Sequence, residues 1–283
     1  MTNESRPEDS PDPYGMDDAG DTPAGDTPAG DGRASEPQGR SAPESQLVLR
    51  EGGRDLQHRD RHHIVEKRLV QRDKITDLSK HLRSVSAAVN AYVIEKGTLI
   101  LAVFGSQDSE GTSTVARELA ISLAVSPTNS VLLVDGNAGD GDQGRYFGVT
   151  AVESLWSAAR GGPVRTTRLQ FPLGGMMDLA ALAIDNARDA TEVDLRLLPQ
   201  LFERLRRLFN VVIIDCPPAL TAAGYVSTSA LADSCLLVVE ANRTRVPVVR
   251  RAMEEIEAAG GKLQGLVLNK RKHYIPSWIY RRI

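Results

Sequence analysis

Five apolar runs, each ending on or beside an acid, an amide or a glycine, constrain this chain most. They are TLILAVF (98–104), VLLVD (131–135), VVIID (211–215), CLLVVE (235–240) and LQGLVLN (263–269). A strand with so little polar character has no face to give to water, so both of its faces must be covered. The segments between the runs carry helical periodicity at 112–126, 194–209, 222–231 and 246–259. A further strand is expected at 176–183 (MMDLAALA), and a helix ahead of the first strand. On that helix Ile75, Leu78, Leu82, Val85 and Val89 fall on one stripe. Strands alternating with helices predict an α/β fold: a mostly parallel sheet with helices on both faces. Ligands of such sheets bind beyond the C-terminal ends of the strands.

Around this core the composition changes. Residues 1–45 are rich in Asp, Gly, Pro and Ser, contain the tandem DTPAG-DTPAG, and have almost no aliphatic side chains. Such a segment cannot bury enough apolar surface to offset its chain entropy and is expected to be a disordered acidic tail. Residues 46–74 read as a charged linker or helix. Within them His58, His62 and His63 raise a metal-site reading, but no cysteine or acidic ligand pattern completes it, and a solvated charged segment is the expectation. Residues 75–272 form the foldable domain, and 273–283 a basic aromatic tail.

The formal net charge of −3 argues against a nucleic-acid partner. Cys216 and Cys235 lie inside apolar runs without metal-ligand spacing, which suits buried thiols in a reducing compartment. The N-terminus shows no secretory signal. No apolar run approaches the roughly 20 residues needed to span a bilayer. A cytoplasmic protein is expected.

The chemistry-bearing residues gather at the strand ends. After Phe104 comes GSQDSEGTST, a glycine-bearing turn leading into a helix. Such a turn presents backbone N–H groups and the positive helix end to an anion, with Ser109, Glu110, Gly111, Thr112, Ser113 and Thr114 as candidate nucleotide-binding residues. Ser113 stands where a Mg²⁺-binding hydroxyl belongs, Thr112 where a phosphate-binding lysine belongs, and Ser106 in place of the upstream glycine. Taken alone, the loop reads equally as an ordinary strand-to-helix turn. Asp135, ahead of the loop GNAGDGD, and Asp215, ahead of Cys-Pro-Pro, are strand-end acids suited to Mg²⁺ or to general-base work. Asn269 either reads a purine edge with its amide or closes a turn.

In this order the motifs resemble those of the bacterial tyrosine kinases (BY-kinases) of capsule and exopolysaccharide synthesis, relatives of the MinD/ParA group. Glu110-Gly111-Thr112-Ser113-Thr114 and Glu118-Leu119-Ala120 match the family's E-G-K-S-T and helix pattern except at the lysine. Asp135-Gly136-Asn137 matches D-x-D except at its second acid. Ile213 to Pro218 keeps I-I-D-x-P-P, and Gly265 to Lys270 keeps the closing G-x-V-L-N-R with lysine for arginine. Asp77, Lys80 and Arg83 retain the charge pattern of the E-x-x-R-x-x-R helix used for self-association in the family.

The resemblance implies a P-loop NTPase fold of the SIMIBI type, with ATP and Mg²⁺ as cofactors. Asp135 and Asp215 become the catalytic acids, and Ser113, Asp135 and Asp215 the metal ligands. It implies a transmembrane polysaccharide co-polymerase, or chain-length regulator, as partner, a position at the inner face of the plasma membrane, and homo-oligomers. Tyr274 and Tyr280 would be the phosphorylation sites, in a tail where the family usually has a tyrosine cluster. A lost phosphate contact costs catalysis roughly 10²–10³-fold, so a weak or inactive kinase that regulates polysaccharide assembly is expected. An active kinase or ATPase that draws the missing charge from Arg117 or from a neighbouring subunit is the first alternative. A MinD/ParA-like positioning ATPase is the second, although Gln107 stands where that group has its signature lysine.

Overall fold

The computed structural model describes residues 62–70, 82–136, 142–172, 174–182 and 195–271. The tail 1–45, His58, Ile75, Asp77, Leu78, Lys80, Asn137, Tyr274, Tyr280 and the tail 273–283 lie outside these residues.

Eight strands form one sheet: β1 (His62–Leu69), β2 (Leu99–Gly105), β3 (Val131–Asp135), β4 (Val164–Gln170), β5 (Met176–Ala181), β6 (Val211–Asp215), β7 (Ser234–Glu240) and β8 (Leu263–Asn269). Their spatial order is β1-β4-β5-β3-β6-β2-β7-β8, and every pairing is parallel except β4 with β5. Among the described residues the helices are α1 (Arg83–Lys96), α2 (Thr112–Ala124), α3 (Asp142–Phe147), α4 (Trp156–Ala159), α5 (Leu198–Leu208), α6 (Ala223–Val226) and α7 (Val246–Ala258).

Side-chain alternation along the buried strands builds a core on each face. From β2, Ile100, Ala102 and Phe104 join Leu201, Phe202 and Leu205 of α5 and Ile256 of α7. The intervening Leu99, Leu101 and Val103 join Val89 of α1 and Leu119 and Leu123 of α2. The expected mostly parallel sheet between helical layers is therefore the fold observed.

Two strands correct the sequence reading. Residues 62–69, read as part of a charged linker or helix, form the edge strand β1, parallel to β4. VRTTRLQ, not anticipated as a strand, forms β4 and turns back antiparallel to β5 through Phe171–Gly175. An outer strand needs only part of its surface covered, so charged residues there do not break the ladder. The buried Asp178 carboxylate takes a two-pronged hydrogen bond from Arg168 at 2.7 and 2.9 Å, and His62 Nε2 lies 3.4 Å from it and 2.8 Å from Thr166 Oγ1. Burial lowers the His62 pKa, against the pull of Asp178. His63, its neighbour on the strand, is exposed. The segment expected as a helix at 222–231 is one α-turn followed by a 3₁₀ segment, Ser227–Leu231, with the Thr228 hydroxyl donating to the Tyr225 carbonyl at 2.6 Å.

Candidate functional site at the C-terminal strand ends

Because β2, β3, β6, β7 and β8 run parallel, their C-terminal ends share one edge of the sheet. The loop Ser106–Gly111, Asp135, Asp215, Glu240 and Asn269 all lie there. Asp135 and Asp215 face each other in register across β3 and β6. The two prolines after Asp215-Cys216 have no N–H to donate, so the chain leaves the sheet there. Ala219 N then returns to the Gly105 carbonyl at 2.9 Å, tying that turn to the start of the loop.

Two glycines shape the loop. Gly111 has a φ of 88°, and a Cβ there would run into the Asn269 amide. At Gly105 a Cβ would lie 2.6 Å from Thr112 Oγ1. Ser109 also takes a positive φ of 64°. Asn269 Nδ2 donates to the Glu110 carbonyl at 2.9 Å. Lys270 Nζ donates to the Ser109 carbonyl and to Glu240 Oε2, the latter at 3.0 Å. That bond holds the Glu240 carboxyl below its usual range.

Glu110 is 2% exposed, and its carboxylate turns onto its own loop. It accepts from Ser106 N at 2.6 Å, Gln107 N at 2.9 Å, the Ser106 hydroxyl at 2.8 Å and the Thr244 hydroxyl. Thr244, beyond β7, was not foreseen from sequence, because only the fold brings it to the loop. Thr112 opens α2 where the phosphate lysine was expected.

The acid pair is buried: Asp135 is 1% and Asp215 0% exposed. Burial pushes the Asp215 carboxyl up from 3.8 to about 7; hydrogen bonds from Gln143 and Ser113 oppose this, the Asp135 charge adds to it, and Arg117 opposes it. Gln143, on α3 and 0% exposed, was also missed by sequence reasoning. Its Nε2 donates to Asp215 Oδ2 at 2.8 Å and to the Ser113 carbonyl at 2.9 Å, and its backbone N–H to Asp135 Oδ2 at 3.1 Å. Arg117, the sequence candidate for the missing phosphate charge, faces this cluster. Its Nη1 donates to Gln143 Oε1 at 3.2 Å and its Nη2 to Thr114 Oγ1 at 3.3 Å, and its guanidinium lies 3.6 Å from the centre of the Tyr146 ring.

By chemistry the Ser113 hydroxyl and the two carboxylates fit a magnesium ion, which takes oxygen ligands. Asp215 Oδ1, buried with no hydrogen-bond partner, is an acceptor such an ion would satisfy. What does not fit is the Gln143 NH₂ group, a donor already placed on Asp215 Oδ2. Cys216 and Cys235 are buried, and burial raises both thiols, that of Cys235 to about 11, so packing is their role. Among the described residues no helix is long and apolar enough to cross a membrane.

No protein-family model matches the chain. Tyrosine-protein kinase CpsD of Streptococcus agalactiae is 24% identical over 216 residues, covering 73% of this chain and 88% of that protein. The kinase domain of the Escherichia coli tyrosine kinase ETK superposes with a TM-score of 0.57 at 22% identity, covering 70% of this chain and 78% of that one. The chimerical protein CapA2B2 superposes with a TM-score of 0.59 at 22% identity, covering 74% and 95%. The homologues of this chain are therefore bacterial tyrosine kinases, and its fold is the P-loop NTPase fold of their kinase domains.

Proposed function

We propose that this chain is a BY-kinase-like regulator of exopolysaccharide or capsule assembly whose ATP-dependent tyrosine kinase activity is weakened or lost. The observation that carries this reading is Thr112. The loop, the helix it opens and the strand-end acids are all in place, yet the side chain at the phosphate-lysine position is an uncharged hydroxyl packed over Gly105. The backbone N–H groups at the start of α2 and the Ser113 hydroxyl would hold a nucleotide, with Asn269 at the loop's rim. Removing one full positive charge from a site that takes several negative ones weakens that hold and costs catalysis roughly 10²–10³-fold.

In this reading ATP and Mg²⁺ are weakly held, and the partner is a transmembrane chain-length regulator that recruits the chain to the inner face of the plasma membrane. Self-association runs through Asp77, Lys80 and Arg83, and of these Arg83, at the first position of α1, is exposed. The test is phosphotyrosine formation by the full chain in MgATP, read at Tyr274 and Tyr280. Little or none is expected; robust phosphorylation would overturn the reading. Recruitment to membranes only when a polysaccharide chain-length protein is present supports the proposed partner, and recruitment without it counts against that partner.

One observation favours an active enzyme instead. Lys270 reaches the phosphate loop at Ser109 while its side chain stays 43% exposed, so a lysine other than the expected one lies at the loop. If it supplies the missing charge, Lys270→Ala abolishes ATP binding in the wild-type background and Thr112→Lys restores it.

A further inference from the structure

Gln143 makes four polar contacts in the buried site, and every one is to a residue of the loop helix or the acid pair. The orientation of its amide follows from its neighbours: both partners of Nε2 are acceptors and the partner of Oε1 is a guanidinium donor. The NH₂ group therefore sits where the Asp215 carboxylate and the Ser113 carbonyl converge, while the backbone N–H of the same residue serves Asp135. Arg117 polarises the amide from behind, so a hydrogen-bonded chain from Arg117 through Gln143 brings partial positive character to Asp215. Tyr146, one turn along α3 from Gln143, holds the Arg117 guanidinium by a cation–π contact.

We propose that Gln143 is a resident cap on the acid pair. Its carboxamide does for Asp215 what a divalent cation would do, and a metal that takes Asp215 Oδ2 enters only by displacing it. The proposal rests on reading Ser113, Asp135 and Asp215 as a metal site. An amide hydrogen and a metal ion cannot both be bound in line with the same Asp215 oxygen, and magnesium demands a near-octahedral set of oxygens. The cap is also an incomplete substitute, because a neutral amide leaves Asp215 Oδ1 buried with no hydrogen bond. A cation that binds the carboxylate through both oxygens gains at Oδ1 what the amide does not provide, and at Oδ2 it must displace the amide, so the two compete.

The test is titration of the full chain with Mn²⁺ alone, without nucleotide, following free Mn²⁺ by electron paramagnetic resonance. Wild type is expected to bind at millimolar concentration or more weakly. Gln143→Ala is expected to bind at least tenfold more tightly, and Asp215→Asn in that background to abolish the gain. If Gln143→Ala does not fold, as judged by circular dichroism, Gln143→Ser opens the same space with a small polar side chain and takes its place. Equal affinity in wild type and the folded Gln143 variant would overturn the cap. Absence of Mn²⁺ binding in both would overturn the metal-site reading beneath it, while the nucleotide reading, which this titration does not touch, would be judged separately.

Discussion

Around the loop Ser106–Gly111, Glu110 accepts hydrogen bonds from Ser106, Gln107 and Thr244, while Asn269 and Lys270 take up the carbonyls of Glu110 and Ser109. At the end of β6, beside the strand that feeds the loop, Asp215 keeps one carboxylate oxygen buried with no partner, and burial holds its pKa near 7. The loop thus satisfies its polar groups from within the chain, whereas Asp215 is only partly satisfied, by the neutral groups of Gln143 and Ser113. The difference separates two roles that the family motifs present together. The loop is braced whether or not a ligand arrives, so its shape says little about whether phosphate binds. Asp215 retains an unmet demand for positive charge or a proton, so ligand-dependent behaviour should concentrate there.

The sharpest way to break this contrast is Glu110→Ala. It strands the Ser106 N–H and hydroxyl, both buried, and each buried unsatisfied group costs about 1–3 kcal/mol. A loss of about 3 kcal/mol in urea unfolding is expected; a change below about 1 kcal/mol would show that the loop does not depend on its internal carboxylate.

Asp215→Asn probes the other side. The folded-state pKa of about 7 lies above the ordinary 3.8, so the folded chain holds the proton across that window. This favours the folded state fully at low pH and is lost as pH rises through 7. Asparagine never ionises and still accepts from Gln143. Its stabilising effect relative to aspartate should therefore grow between pH 5 and pH 8, on the order of 2 kcal/mol. A difference in melting temperature independent of pH would contradict the unmet charge. Asn269→Ala, which removes a single partly buried bond to the Glu110 carbonyl, should cost about 1 kcal/mol. No measurable loss would mean that Asn269 is held for a ligand and not for the loop.

Much of this was legible in the sequence because burial writes itself into apolar runs. β2, β3, β5, β6, β7 and β8 were all expected, as was the convergence of Asp135, Asp215, Asn269 and the loop, since parallel strands put their ends together. β1 and β4 were hidden because His62, Arg68, Thr166 and Arg168 do not look like a buried strand. Their ladder closes around one buried carboxylate, Asp178, and that closure is a long-range fact. Glu110 was legible as a loop residue, but not as a brace for its own loop, because the direction of its side chain depends on Thr244, 134 residues away. Gln143 was invisible for the same reason. One glutamine after an Asp/Gly-rich stretch carries no signal until α3 sets it between Asp135 and Asp215. Arg117 was noted as a spare cation for the loop; the fold turns it instead toward Gln143 and Tyr146.

The central claim is that the fold of a nucleotide-binding site persists here after its key charge has gone. It is tested most directly by the affinity of the full chain for MgATP in wild type and in Thr112→Lys, measured by isothermal titration calorimetry. The account predicts weak or undetectable binding in wild type and a gain of at least tenfold in Thr112→Lys. Tight binding in wild type that Thr112→Lys leaves unchanged would contradict it.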